Sequence, residues 1–149
     1  MDERLFPARP ILAVSAAVFR GSRVLIVRRA RAPFLGHFSL PGGVVEIGET
    51  LAAAVARELA EEAGVSARII GFNRHVDAIT REGDRIRTHF VIASFVARWI
   101  RGEARTSDEV DALDWIDPAA TLPSPTTPGL REILASAARI ESQPRNPDS

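Results

Sequence analysis

Residues Gly43 to Val65 read GVVEIGETLAAAVARELAEEAGV, and the fold turns on this stretch. Thr50 suits an N-cap, alanine and leucine fill the interior, and Gly64 stands where a helix stops, so the pattern predicts a helix over Thr50 to Ala63. Five acids, Glu46, Glu49, Glu58, Glu61 and Glu62, face a single base, Arg57. Most such charge runs are solvated helix faces. Phase argues otherwise here: at about 100° per residue, Leu51, Val55 and Leu59 form one apolar stripe, and Glu58 and Glu62 fall within about 40° of its first two members. They lie beside the buried face, with Glu61 flanking them. Carboxylates crowded at a core boundary repel one another and resist leaving water. Such a cluster calls for a cation, and an all-oxygen donor set without cysteine or a histidine pair favours Mg²⁺ first and Mn²⁺ second.

Upstream, the apolar runs Ile11 to Phe19 and Val24 to Val27 flank Gly21 and Ser22, which reads as a β-hairpin. Arg28, Arg29 and Arg31 follow, then a loop by composition from Pro33 to His37 and the tight turn Leu40-Pro41-Gly42-Gly43. Downstream, Arg68 to Thr80 and Thr88 to Trp99 are rich in β-branched and aromatic residues, with a turn expected over Arg81 to Asp84. A short strand is expected near Ala112 to Ile116, and a closing helix over Gly129 to Ile140. This order predicts an α/β fold, a mixed β-sheet flanked by helices on both sides. One domain is expected over residues 1–149, with its core at about 10–140 and tails at 1–9 and 141–149.

The 149 residues carry 19 basic and 19 acidic side chains, so no global field draws in nucleic acid or an anionic membrane. Every basic side chain other than histidine is arginine, and lysine, tyrosine and cysteine are absent. That removes a Schiff-base or P-loop lysine, a thiol nucleophile, disulfides and thiolate metal sites. The arginine bias reads equally as genome composition or as a need for guanidinium forks. Asp2 and Glu3 stand where a signal peptide would be cationic, and no run reaches the roughly 18 to 20 apolar residues that span a bilayer. A soluble, cytoplasmic protein is expected, with no membrane or nucleic-acid partner; a homodimer stays open.

Gly43, five residues, Glu49, seven residues, Arg57-Glu58-Leu59, one residue, Glu61-Glu62, one residue, Gly64-Val65 resembles the Nudix box at every specified position. With ordinary residue usage, chance supplies such a match on the order of once in 10⁹ starting positions. Leu40 to Gly43 and the strand order over about Ile11 to Pro118 resemble the same family. Many members carry tryptophan shortly before Pro-Gly-Gly, where this chain has Phe38.

The resemblance implies a Nudix-type α/β/α sandwich and hydrolysis of a nucleoside diphosphate linked to another group. By that likeness Glu58 and Glu62 are the principal metal ligands and Glu61 a third, with the carbonyl of Gly42 or Gly43 completing the shell. Arg57 orients the carboxylates and Glu49 supports Arg57. The general base is open among Glu58, Glu61 and a downstream acid, which by the likeness binds metal or acts as base and for which Glu109 is chosen from Asp108, Glu109, Asp111 and Asp114. Arg28 and Arg29 are phosphate candidates, and strand alternation points one of them inward. Phe34, Phe38 and Phe72 could pack or stack on a base, with Phe38 kept as a substrate candidate. His37, His75 and His89, like Trp99 and Trp115, read mainly as structural residues. The small-molecule substrate is expected to be ADP-ribose or a nucleotide sugar first, and a (d)NTP, oxidised forms included, second. Two other readings are a non-catalytic nucleotide-sensing module and an RNA 5′-pyrophosphohydrolase.

Overall fold

A computed structural model describes residues 3–144. The hairpin at the start forms as expected, from β1 (Ile11–Arg20) and β2 (Arg23–Arg29). Two short strands follow, β3 (Phe38–Ser39) and β4 (Gly42–Val44), then helix α1 (Leu51–Ala63). The long strands β5 (Ser66–Glu82) and β6 (Arg85–Arg101), strand β7 (Val110–Ile116) and helix α2 (Leu130–Ser142) complete the chain.

The sheet runs β3-β2-β1-β6-β5, with β4 paired to β1 and β7 paired to β2. β1 and β6 are parallel and the other pairs antiparallel, so the sheet is mixed. A parallel pair needs a long crossover, and α1 lies within this one. Along β1 successive side chains alternate between two cores, as strand geometry requires. Val14, Ala16 and Val18 pack with Val55, Leu59 and Ala63 of α1, while Ala17 and Phe19 pack with Leu130, Leu134 and Ala137 of α2. Both faces are therefore covered, which gives the α/β/α sandwich and explains why β1 reads as a near-continuous apolar run.

Helix α1 has the ends foreseen for it. The Ala53 amide donates to Thr50 Oγ1 at 3.1 Å. Gly64 adopts φ 70°, a left-handed conformation that glycine takes without steric cost, and its amide and that of Val65 donate to the Ala60 and Leu59 carbonyls.

Several boundaries differ from expectation. β3 lies between the loop read over Pro33 to His37 and the turn read over Leu40 to Gly43, and β4 takes in Gly42 and Gly43 of that turn, because the backbone there pairs with β2 and β1, a tertiary effect that local composition does not carry. The turn expected over Arg81 to Asp84 is only Gly83-Asp84, since Arg81 and Glu82 pair across to Ile86 and Arg85. α2 continues through Ser142, into the expected C-terminal tail, and the rest of that tail beyond residue 144 lies outside the described residues. At the other end, the Phe6 amide donates to the Arg87 carbonyl at 2.7 Å and its ring lies under the Arg85 guanidinium at 3.9 Å, so the expected N-terminal tail is docked on β6 at Phe6, and its residues 1 and 2 lie outside the described residues. No helix among the described residues is long and apolar enough to cross a membrane.

Candidate active site

The apolar stripe of α1 turns Glu58 and Glu62 inward, and each is 6% exposed. A third carboxylate comes from the loop before β7, where the Ala30 amide at the end of β2 donates to the Glu109 carbonyl at 2.9 Å. One carboxylate oxygen each from Glu58, Glu62 and Glu109 lie within 4.8 Å of one another. Glu61, expected as the third ligand, lies outside this trio; its side chain is 57% exposed and reaches Arg57 Nη1 at 3.3 Å.

Arg57 ties the helix to the loop before it. Its Nε and Nη2 donate to the two oxygens of Glu49, its Nη2 also to the Val44 carbonyl at 3.0 Å, and its Nη1 to Glu58 Oε1 at 2.8 Å. The expected Glu49 to Arg57 pairing is present, and Arg57 holds Glu58 directly. Glu46 stays at the edge, 3.9 Å from Arg57.

Gly42 and Gly43 press on the same carboxylates. The Gly42 amide donates to Glu62 Oε2 at 3.2 Å. A methyl group on Gly43 would collide with the Glu58 carboxylate, and one on Gly42 with the Val14 carbonyl oxygen of the neighbouring strand. Glycine is required at 42 by the backbone of the adjoining strand, whereas at 43 a side chain would displace the Glu58 carboxylate.

The electrostatics are those of buried acids without enough compensation. Burial, then the Glu58 charge, pushes the Glu62 carboxyl up to about 8, against the hydrogen bond from Gly42. Glu58 is also raised, by burial first, with Arg57 opposing and Glu109 and Glu61 adding to the rise. Glu49 moves the other way, to about 2, because Arg57 donates to its ionised form. The Glu49 hydrogen bond in turn raises Arg57 above its usual value. Three hard oxygen donors, two of them buried and resisting ionisation on their own, fit a divalent cation such as Mg²⁺.

A mainly apolar cleft opens beside this cluster, lined by Gly42, Gly43, Leu40, Phe34, Phe90, Ile92 and Leu130 among others. Arg29 is the inward arginine: it lines the cleft and its Nε donates to the Pro33 carbonyl at 2.7 Å. Burial lowers its pKa, while the charges of Glu62, Glu109 and Glu58 work to keep it protonated. Arg28 points the other way, pairing through Nε with Asp111 at 2.6 Å and lying 5.9 Å from the Phe38 ring. Phe38 is thus placed with Arg28 outside the cleft, and Phe34 is the phenylalanine of that loop that lines it. Arg4 also lines the cleft, a residue sequence reading assigned to a tail. The adjacent apolar pair Leu5 and Phe6 was the signal that this segment docks.

The chain matches the family model described as the NUDIX domain over residues 9–137. A solved MutT NUDIX hydrolase from Burkholderia pseudomallei superposes with a TM-score of 0.76 at 33% identity, covering 86% of this chain and 98% of that one. A putative 8-oxo-dGTP diphosphatase 2 from Mycobacterium tuberculosis is 35% identical over 130 residues, 86% of this chain and 88% of that protein. An ADP-ribose pyrophosphatase from Methanocaldococcus jannaschii is 32% identical over 72% of this chain, a match that spans 62% of the archaeal protein's length.

Proposed function

The chain belongs to the Nudix hydrolase family, in its MutT and ADP-ribose pyrophosphatase branch, and from that premise we propose that it is a divalent-metal-dependent pyrophosphohydrolase of nucleoside diphosphate derivatives. The observation that carries this reading is the meeting of Glu58, Glu62 and Glu109 within 4.8 Å, beside a cleft that Arg29 lines.

Mg²⁺, or Mn²⁺ in its place, would be held by Glu58, Glu62 and Glu109, and would offset charge on the phosphate oxygens and lower the pKa of the attacking water. Arg57 fixes the Glu58 carboxylate in one orientation, and Glu49 fixes Arg57. Gly43, bare of a side chain, leaves room for Glu58 beneath it. Arg29, whose Nε is engaged by the Pro33 carbonyl, offers a phosphate the terminal nitrogens of its guanidinium. Water attacks one phosphorus and the anhydride bond on its far side breaks. The proton released goes to Glu109: Glu58 is engaged by Arg57 and Glu62 is buried against Gly42, whereas Glu109 is the exposed member of the trio. Glu61 acts on Arg57 from the solvent side.

ADP-ribose and nucleotide sugars stand first as substrates and (d)NTPs, oxidised forms included, second; the names of the relatives support both classes. The side chains described along the cleft include no carboxylate or carboxamide, so a base there is held by packing, with Phe34 and Phe90 available, more than by side-chain hydrogen bonds. The complete set of box carboxylates favours hydrolysis over a purely sensing role. A cytoplasmic site of action without nucleic-acid partners belongs to the same proposal.

Initial rates of the purified protein with Mg²⁺ across a panel of ADP-ribose, nucleotide sugars and (d)NTPs test it. Turnover that Glu58→Gln abolishes is expected. Tight binding without turnover of any compound would overturn the hydrolase reading in favour of a sensor.

A further inference from the structure

The N-terminal segment does more than cover β6. Phe6 is held at φ 50°, a left-handed conformation uncommon outside glycine, and it is pinned there by its amide bond to the Arg87 carbonyl and by the Arg85 guanidinium over its ring. Just before that pinned residue the chain turns, and half-buried Arg4 comes to line the same cleft as Arg29, Gly42 and Gly43. The two guanidiniums are near enough for the Arg4 charge to oppose protonation of Arg29, while the acids beyond Arg29 favour it. Arg29 thus feels three carboxylates and a second guanidinium at once.

Two cations sharing an apolar cleft repel, and an anion between them relieves that repulsion. A guanidinium also presents the planar fork that phosphate oxygens accept. We propose that Arg4 is a substrate-binding residue that, together with Arg29, grips a phosphate of the nucleotide, and that residues 4 to 6 form a strap positioning it from β6. The inference rests on the hydrolase reading for its substrate, but the anion site itself is testable without turnover. Phe6 is a positioning residue in this scheme, because it acts only through Arg4.

The experiment pairs steady-state kinetics with calorimetric titration of inorganic tripolyphosphate in Mg²⁺, on the full chain and the variants Arg4→Ala, Arg4→Lys, Phe6→Ala and Arg9→Ala. Arg9 is exposed and absent from the cleft lining, so its variant controls for the loss of one charge. Loss of one charged phosphate contact raises KM about tenfold and weakens tripolyphosphate binding about tenfold in Arg4→Ala, with kcat within about twofold. Arg4→Lys recovers part of this, Phe6→Ala moves in the same direction with kcat unchanged, and Arg9→Ala matches the parent. Arg4→Ala behaving like Arg9→Ala in both assays overturns the proposal, as does a parent protein that binds no tripolyphosphate. Should the parent turn over no nucleotide yet bind tripolyphosphate in an Arg4-dependent way, the hydrolase reading falls and the phosphate grip stands.

Discussion

Arg57 grips Glu49 with two parallel hydrogen bonds, Nε to Oε2 at 2.7 Å and Nη2 to Oε1 at 2.9 Å. This bidentate pair fixes the guanidinium whose third nitrogen, Nη1, holds Glu58. Groups that orient a metal ligand typically matter about 10- to 100-fold in activity or metal affinity when removed. Glu49→Ala should therefore lower the rate by about that factor and Tm by a few degrees. Glu46→Ala, 69% exposed and 3.9 Å from Arg57, should stay within about twofold of the parent. Equal rates for the two variants at saturating Mg²⁺ would count against the orienting role.

Glu58→Gln and Glu62→Gln should each weaken Mn²⁺ binding, followed by calorimetry, and reduce turnover at least about 100-fold. Glu61→Gln should cost about tenfold or less, since Glu61 stands outside the trio. Glu109→Gln should lower kcat at least about 100-fold, because it removes both a ligand oxygen and the acceptor of the released proton. A Glu61→Gln defect as deep as that of Glu62→Gln would place the third ligand on the helix after all.

Metal-free protein should lose stability as pH rises from about 4.5 to about 8. Glu62 has a folded pKa near 8 against an ordinary 4.5, so between these values the folded state holds a proton that the unfolded chain has released. Its favourable contribution is present below 4.5 and is lost as pH climbs through 8. Added Mg²⁺ should raise Tm more at pH 8.5 than at pH 5.5, because binding needs ionised carboxylates. Glu62→Gln should flatten the pH dependence measured in EDTA. Glu49 acts with the opposite sign: its folded value of about 2 adds stability above 4.5 that disappears as pH falls toward 2.

The two glycines before the helix should separate stability from activity. A Cβ at Gly43 meets the Glu58 carboxylate, the end of a side chain, so Gly43→Ala should fold with a modest Tm loss while activity falls at least about 100-fold. A Cβ at Gly42 meets the Val14 carbonyl and Ser15 backbone in the adjoining strand, which cannot move aside. Gly42→Ala should lower Tm sharply, and thermal melts beside initial rates decide the matter.

The residues from Gly43 to Val65 were readable because their constraints are local. Helix phase alone placed Glu58 and Glu62 at the buried edge, and capping chemistry placed both ends of α1. The third member of the trio was harder, because Glu61 follows the same helix outward while Glu109 arrives only through the pairing of β2 with β7 and the bond between Ala30 and Glu109. Strand alternation foretold that one of Arg28 and Arg29 would face the cleft, but the choice depends on register. For Arg4 the only local sign was the apolar pair Leu5 and Phe6 beside it, and its place in the cleft depends on Phe6 meeting Arg87 of β6, 81 positions away in the chain.

The parallel pairing of β1 with β6 also governs how the molecule assembles. Ser15 and Ser94, hydroxyl to hydroxyl at 2.9 Å, are 79 positions apart, and every acid of the helix lies inside the loop they close. Contacts of such long range form late, because the entropy of closing the loop comes before any gain from packing. During synthesis β1 has β2 and β4 to pair with early, whereas its edge toward β6 waits until most of the chain has emerged. Because β6 follows α1 in the chain, the sheet is completed only after the whole acidic helix has been made, so the last strand to join closes over a site whose ligands on the helix are already built.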